Sequence, residues 1–489
     1  MTKGSIPAFL RDNYLLILIF ILGALLRFYG LDREGIWYDE AVSVAVSKLS
    51  FKDIIRWVFD NKAETNPPFY YMVLSVWVPV FGDSEAVLRV PSVIFGSLSV
   101  IAIYAVGRQL FDKKTALIAA LILALSAFHL RYAQEARGYT LMVCLILVSY
   151  YSFLRLTIGK SKLYAAVYVV STALLVYTHY YGTMIILAQN IFCFTLLLRK
   201  RKIGEIGLGG WIKLQAMTGL VLLPGLVFLA VIALKIQKGF WVPEPSSEAI
   251  WQFLIIYAGS VYLLVLFLAF SVYAAAGLRK GNPAQVKKPG KTSAEPARAA
   301  GLSEGEKLYM LLVWMAVPVL VPYLISLVSS PILIFRYTIG ASLALYLLAS
   351  NGIGKMQNRW LITAAAGLIL IFSFANVNTY FSTVRKHQWR ELMTFVESNA
   401  GPADIIVVSP VYEMVTAEYY HNRKDLTIVP LGNKFPVFEN LGRKNIWFVF
   451  HEHPESRANS RAGLGAEYDI TEFQYNRLDL FKLSKKKND

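Results

Sequence analysis

Two adjacent carboxylates, Asp39 and Glu40, are the first residues of the sequence that could do chemistry. They follow the first apolar segment within the sequence Gly-Ile-Trp-Tyr-Asp-Glu-Ala-Val-Ser. Carboxylates are costly to hold close to lipid unless they are solvated or have a function. One function they can serve is to accept a proton from a hydroxyl or an amine. A structural interpretation is also open, because carboxylates favour helix N-termini and this pair would cap a helix over residues 41–48.

Cationic and polar residues recur at the ends of later apolar segments. They are Arg89, Gln134, Glu135, Arg137, Tyr139, His179 and Arg336. Charged residues between long apolar helices usually face a polar cavity, although an ordinary interfacial loop, a structural histidine and a snorkelling arginine are the alternatives. With the carboxylates, they suit a reaction in which a phosphate leaves as an anion and a hydroxyl or amine loses a proton.

The composition predicts a polytopic α-helical membrane protein. Of the 489 residues 56% are hydrophobic and 17% charged, unlike a soluble globular protein. The net charge of +17 comes from basic residues in short clusters between apolar segments. This is the pattern of cytoplasmic loops, and it argues against nucleic-acid binding.

The basic clusters orient eleven predicted helices in the cytoplasmic membrane. These helices are expected near residues 13–30, 86–108, 114–130, 138–156, 163–178, 182–198, 212–234, 251–277, 307–328, 332–351 and 360–379. The shorter segment 67–81 is predicted to lie along the interface or to dip into the membrane and return. Residues 278–306 then form a flexible cytoplasmic linker. The loops 31–85, 131–138, 179–182 and 329–336 share the outer side, and an active site is expected there.

The composition changes near residue 385, which divides the chain into a membrane domain, 1–384, and a small α/β domain, 385–489, on the outer side. Short apolar runs near 404–409 and 445–450 predict buried strands. His451 and His453 flank Glu452, but no further ligand cluster stands out, so no metal site is predicted.

Four motifs in this order carry a family resemblance: Trp-Tyr-Asp-Glu-Ala, Asn-Pro-Pro-Phe-Tyr-Tyr, Gly-Asp-Ser-Glu-x-x-x-Arg-x-Pro and Gln-Glu-Ala-Arg-Gly-Tyr. Over about residues 13–380 the chain resembles the GT-C superfamily of membrane glycosyltransferases. The prokaryotic relatives of protein O-mannosyltransferases and lipid A aminoarabinose transferases are the most similar branch. The resemblance implies a GT-C-like fold, with interfacial helices in the first outer loop.

The resemblance also implies an activity, the transfer of a hexose or pentose from an undecaprenyl- or dolichyl-phosphate donor to a glycan, lipid or protein acceptor. Asp39 corresponds to the catalytic base of the family. Arg89 and Arg137 match its motif arginines, His179 stands where aminoarabinose transferases carry a lysine, and Arg336 resembles the late arginine beside the donor phosphate. Glu40 would orient an arginine or the acceptor.

The chain departs from the family pattern at Asn66, where many relatives have His or Lys before the Pro-Pro pair. The second outer loop has no Asp-x-Asp motif, so neither a divalent metal nor another cofactor is expected. A single direct displacement would invert the anomeric carbon, by analogy with inverting glycosidases.

Two other functions fit part of the sequence. A transporter or flippase of lipid-linked sugars also has many helices and buried charges, but the sequence has no internal repeat and its polar residues cluster at one face. A ligase that transfers a whole oligosaccharide uses lipid-linked donors too, but is expected to lack the Asp-Glu pattern of the first loop.

Overall fold

The computed structural model describes residues 5–61, 64–237, 242–279, 302–402, 404–431, 445–451 and 468–485. In chain order the helices are α1 (Ser5–Phe28), α2 (Tyr38–Ser47), α3 (Phe51–Asp60), α4 (Phe69–Phe81), α5 (Glu85–Leu110), α6 (Lys113–Leu125), α7 (Ala127–Ala133), α8 (Tyr139–Ile158), α9 (Lys162–Thr178), α10 (Gly182–Lys200), α11 (Leu208–Gln237), α12 (Ala249–Ala258), α13 (Val261–Arg279), α14 (Glu304–Val328), α15 (Ile339–Lys355), α16 (Arg359–Ser382), α17 (Trp389–Asn399) and α18 (Met414–Tyr420). The strands are β1 (Lys202–Ile203), β2 (Ile206–Gly207), β3 (Ile405–Ser409), β4 (Thr427–Pro430), β5 (Ile446–His451), β6 (Tyr468–Tyr475) and β7 (Leu478–Lys485).

Six helices in the described part of the chain are long and apolar enough to cross a membrane, namely α5, α8, α10, α11, α14 and α16. Two broken pairs, α6 with α7 and α12 with α13, bend by 59° and 92° and raise the number to 8 if each is one span. The chain is therefore an integral membrane protein. Each of the eleven predicted segments contains a helix, whereas the number of crossings, eleven, stays a prediction.

The chain folds into two compact units. The first, called here the helical unit, comprises Met1–Tyr29, Phe51–Val73 and Arg89–Tyr380. Helix α15 is buried at every residue from Ile339 to Ile353 and packs against α6, α13 and α14. A helix that is apolar on all faces must be surrounded by other helices. Gly352 allows the close approach of α13, since a Cβ atom there would overlap the carbonyl oxygen of Phe270.

The second unit, called here the sheet unit, comprises Gly30–Ser50, Leu74–Leu88 and Phe381–Asp489. Its five strands follow the order β4-β3-β5-β7-β6, with β4, β3 and β5 parallel and β5, β7 and β6 antiparallel. Alternate residues of the strands face opposite sides, as the period of two requires. Trp447 and Val449 share a core with residues of α17, whereas Phe448 and Phe450 belong to a separate core.

Two local predictions differ from the structure. Helix α2 begins at Tyr38 and its N-cap is the extended residue Trp37, so Asp39 and Glu40 lie in the first helical turn and do not cap it. Arg336 does not open a helix, because it lies in a turn and α15 begins only at Ile339.

Three predicted features fall wholly or largely outside the described residues. They are Glu452, His453 and most of the linker 278–306. Helix α14 begins at Glu304, inside the predicted linker, with a capping box between Ser303 and Glu306.

Candidate active site

The predicted site residues divide between the two units. Asp39 and Glu40 belong to the sheet unit, and the other predicted site residues belong to the helical unit. Those others are Arg89, Gln134, Glu135, Arg137, Tyr139, His179 and Arg336.

Arg137 lies in the turn that joins α7 to α8 and is only 6% exposed. Its Nη1 donates a hydrogen bond to the Tyr71 hydroxyl at 3.2 Å, and that hydroxyl donates to Glu64 Oε2 at 2.9 Å. The other oxygen of Glu64 accepts from the backbone N–H groups of Thr65 and Asn66. The Arg137 guanidinium is therefore held through a buried relay that ends on a fixed carboxylate.

His179 and the half-buried Arg336 form a cationic cluster with Arg137, whose charges are those of the two guanidinium groups. His179 is the C-cap of α9, and its Nδ1 accepts a hydrogen bond from the Tyr181 backbone N–H at 3.2 Å. Its Nε2 is buried and has no hydrogen-bond partner within the described part of the chain. Arg137 and Arg336 are both near enough to act on the ring electrostatically, and the Arg336 guanidinium lies 5.5 Å from the centre of the Tyr337 ring.

Aromatic side chains surround this cluster. The centres of the Tyr139, Tyr180 and Tyr337 rings lie 5.9, 4.8 and 4.6 Å from the centre of the His179 ring. The hydroxyl of Tyr181 donates to the backbone carbonyl of Ile332 at 2.7 Å, which ties the turn after α9 to the segment before α15. Packed rings exclude water, and in a medium of low polarity fixed cations bind an anion more strongly than they do in water.

The side chain of Gln134 links three segments of the helical unit by hydrogen bonds. Its Nε2 donates to the backbone carbonyls of Arg27 and Tyr29 at 3.0 and 2.8 Å, and its side-chain oxygen accepts from the Tyr380 hydroxyl at 2.8 Å. These bonds connect the ends of α1 and α16 to the turn that carries Arg137. They hold the Gln134 side chain in place, and its part in substrate binding stays a prediction.

Two further predicted site residues, Glu135 and Arg89, are buried. Glu135 lies in the turn after α7, and Arg89 lies near the start of α5. Glu135 is 2% exposed and forms an ion pair with Arg131, whose Nε lies 3.4 Å from Glu135 Oε1. Arg89 is 1% exposed in the second turn of α5. Burial of such charges in a membrane protein is typical of residues that face one another or a polar cavity.

In the sheet unit Asp39 is half-buried in the first turn of α2. The positive end of the helix dipole stabilises a negative charge in this place. Glu40 is fully buried, and the Lys386 ammonium lies 2.8 Å from its Oε2. Glu40 therefore pairs with Lys386, and its suggested role in orienting an arginine or the acceptor stays a prediction.

The segment before α2 is held by side chains from α17 and α18. The Tyr420 hydroxyl accepts from the Ile36 N–H at 2.6 Å and donates to a Glu85 oxygen. Arg390 Nη1 donates to the second Glu85 oxygen at 2.6 Å and to the Asp32 carbonyl at 2.8 Å. Burial and the neighbouring Glu85 raise the pKa of the Tyr420 phenol, so it stays protonated as a donor.

Sequence reasoning missed the residues that support the site. Tyr71 lies in the Asn-Pro-Pro-Phe-Tyr-Tyr motif and Glu64 two residues before it, so a search for partners of the motif could have found both. Lys386, Arg390 and Tyr420 are more than 300 residues from their partners along the chain, and no local pattern marks them.

Residues 65–241 match the family model of dolichyl-phosphate-mannose-protein mannosyltransferases. An uncharacterised protein of Aquifex aeolicus is 28% identical over 152 residues, a match that spans 29% of this chain and 30% of that protein.

Two solved structures are similar over most of the chain. The apo structure of ArnT from Cupriavidus metallidurans has a TM-score of 0.63 at 12% identity, covering 96% of this chain and 98% of that one, and a second structure of the same protein is bound to undecaprenyl phosphate. The archaeal oligosaccharyltransferase AglB from Archaeoglobus fulgidus has a TM-score of 0.54 at 14% identity, covering 90% of this chain and 70% of that one. At these identities the structures show a shared fold. The chain therefore has the fold of these GT-C proteins, and over residues 65–241 it is similar to the mannosyltransferase family.

Proposed function

We propose that the protein transfers one sugar from a polyprenyl-phosphate donor to an acceptor at the outer face of the membrane. The observation that carries the proposal is the cluster of Arg137, His179 and Arg336 in a helical unit that spans the membrane, with Arg137 and His179 buried and Arg336 half-buried. Charged residues inside a membrane protein typically mark the path or binding site of an ion or substrate, and an anionic lipid phosphate suits two fixed arginines. The structure of ArnT with undecaprenyl phosphate supports the same class of lipid.

The cluster suits a phosphate that departs from a sugar. Negative charge develops on the phosphate as its bond to the anomeric carbon breaks, and Arg137 and Arg336 stabilise it without having to reorganise. Since the Nδ1 atom of His179 accepts a backbone N–H, its proton lies on Nε2. That buried Nε2–H is then a third donor to the phosphate.

Asp39 is the proposed general base. It accepts the proton of the acceptor hydroxyl or amine as that group attacks the anomeric carbon, and the single displacement inverts the configuration. Glu40 is buried and paired with Lys386, so it acts as a positioning residue that holds the first turn of α2. The donor is a hexose or pentose phosphate of a polyprenol, and the acceptor is a glycan, a lipid or a protein.

Transfer by the purified protein in liposomes tests the function. The liposomes receive a panel of polyprenyl-phosphate monosaccharides and candidate acceptors, and the release of free polyprenyl phosphate is measured. Asp39→Asn keeps donor binding and loses most transfer, whereas Asp32→Asn, in the exposed part of the same loop, keeps both. Wild-type turnover by Asp39→Asn would overturn the assignment of the base.

One observation favours a transporter or flippase as the second candidate. Helices α12 and α13 meet at a break with a bend of 92°, and broken helices are typical of transporters. The liposome assay separates the candidates. A transporter moves lipid-linked sugar across the bilayer and releases no polyprenyl phosphate.

A further inference from the structure

Three side chains of the sheet unit that the proposed reaction does not use meet at one edge of the sheet. Glu413 lies in the short turn that follows β3, and His451 is the last residue of β5. Strands β3 and β5 are parallel neighbours with Ser409 beside Phe450, so their carboxyl ends lie at the same edge. His387 reaches this edge from the segment between α16 and α17.

The ligand atoms of the three residues lie at distances that one small cation could bridge. His451 Nδ1 lies 2.9 Å and His387 Nδ1 lies 3.8 Å from Glu413 Oε1. One ligand atom from each residue lies within 4.8 Å of the other two. Bonds of about 2.0–2.1 Å to a tetrahedral zinc ion place its ligand atoms about 3.3 Å apart. The two distances to Glu413 lie on either side of that separation.

The same three atoms are buried and unsatisfied. Within the described part of the chain, neither Nδ1 atom nor Glu413 Oε1 has a hydrogen-bond partner. His451 and Glu413 thus approach closely without a hydrogen bond between them. Buried polar atoms are normally paired, and a cation would satisfy all three at once. Thr416 Oγ1 donates to Glu413 Oε2 at 2.9 Å, which fixes the carboxylate and leaves Oε1 for the histidines.

We propose that His387, Glu413 and His451 bind a divalent transition-metal cation of the zinc class. Two imidazole nitrogens and one carboxylate oxygen are ligands that zinc accepts, and a water molecule completes four-coordination. The His451 side chain is 21% exposed, which gives water and the ion access. The ion joins the segment before α17 to the edge of the sheet.

The site has a consequence for the neighbouring ion pair. His387 follows Lys386, whose ammonium pairs with Glu40 beside Asp39. A cation on His387 therefore restricts the segment that carries Lys386. Its role is to hold this segment, and the ion takes no part in the transfer of the sugar.

Zinc binding by the full chain tests the proposal directly. The protein is purified in detergent, freed of any histidine tag, stripped with a chelator and titrated with Zn²⁺ in a calorimeter, and its metal content is measured. One Zn²⁺ per chain is expected, and Co²⁺ at the same site gives the visible absorption of a tetrahedral complex. His387→Gln and Glu413→Gln each weaken binding at least about tenfold.

His421→Gln is the matched control. His421 Nδ1 lies 3.2 Å from Glu397 Oε1 in the same unit, but that oxygen already accepts the backbone N–H groups of Asn422 and Arg423. This variant binds Zn²⁺ like the wild type. Should Glu413→Gln fail to fold, His451→Gln replaces it as the ligand variant, because His451 is partly exposed at the end of β5. Absence of stoichiometric binding, or binding that the ligand variants leave unchanged, would overturn the proposal. Both readouts are independent of transferase activity.

Discussion

Tyr71→Phe is the sharpest test of how the cationic cluster is held. The substitution keeps the ring, whose centre lies 6.0 Å from the Arg137 guanidinium, and removes only the hydroxyl. That hydroxyl accepts from Arg137 at 3.2 Å and donates to Glu64 at 2.9 Å. The relay between the arginine and the fixed carboxylate is thereby cut, while the charges of both residues are kept.

The structure sets the size of the effect. Each hydrogen bond to a charged group contributes about 1.5–3 kcal/mol. Arg137 is buried, so bulk water does not replace the lost partner freely. If one such bond is lost from the transition state, the barrier rises by about 1.5–3 kcal/mol, which is roughly a 13- to 160-fold loss of rate.

The assay is the release of polyprenyl phosphate at several donor concentrations, with kcat and KM determined separately. We expect kcat/KM to fall within that range with little change in melting temperature. Tyr70→Phe is the control, since Tyr70 is equally buried and its hydroxyl bonds to neutral Ser92 at 2.7 Å. It should lose less than about threefold, as a neutral hydrogen bond is weaker. Equal kcat/KM in Tyr71→Phe and wild type would refute the relay.

Three further outcomes are expected. Arg336→Ala should lower the rate of transfer by about 10²–10³, the usual cost of one fixed donor to a developing anion, and single-turnover kinetics would measure it. Lys386→Met leaves the Glu40 charge buried and should lower the free energy of unfolding of the sheet unit by about 3–5 kcal/mol, measured by native-state proteolysis in urea. Adding Glu40→Gln to this variant should restore most of the lost stability. Gly352→Ala forces α13 and α15 apart and should abolish the monodisperse peak in size-exclusion chromatography, whereas Gly367→Ala, which faces open space, should not.

The helices of the membrane region were predictable because their signal is local. Apolar segments of about 20 residues between basic clusters mark a helix by composition alone, and each predicted segment contains one. The breaks were not predictable. The segment 251–277 is apolar throughout, and its 92° bend falls at Gly259, which has a φ of +94°. A glycine in an apolar helix is compatible with a straight span, so only packing decides where the bend occurs.

The candidate site was predictable where its residues lie in short motifs. Arg137 and His179 stand out because charge or imidazole between apolar helices is costly unless it faces a polar cavity, and the structure brings the two side chains close together. Lys386 gave no such signal, because a lysine outside the apolar segments is ordinary and its partner Glu40 lies 346 residues away. The same limit applies to His387 and His451, which only the register of β3 and β5 brings near Glu413.

The C-terminal segment contacts and holds the region around α2 within the sheet unit, a role that its composition did not indicate. Helix α18 packs against α2, Tyr420 and Arg390 hold the backbone on both sides of Gly35, and Lys386 neutralises Glu40. A Cβ atom at Gly35 would lie 2.9 Å from the Tyr420 hydroxyl, so the loop and α18 fit closely. Because all of these contacts bear on the helix that carries Asp39, residues after 381 fix the position of the proposed base. The segment therefore holds the helix that carries Asp39.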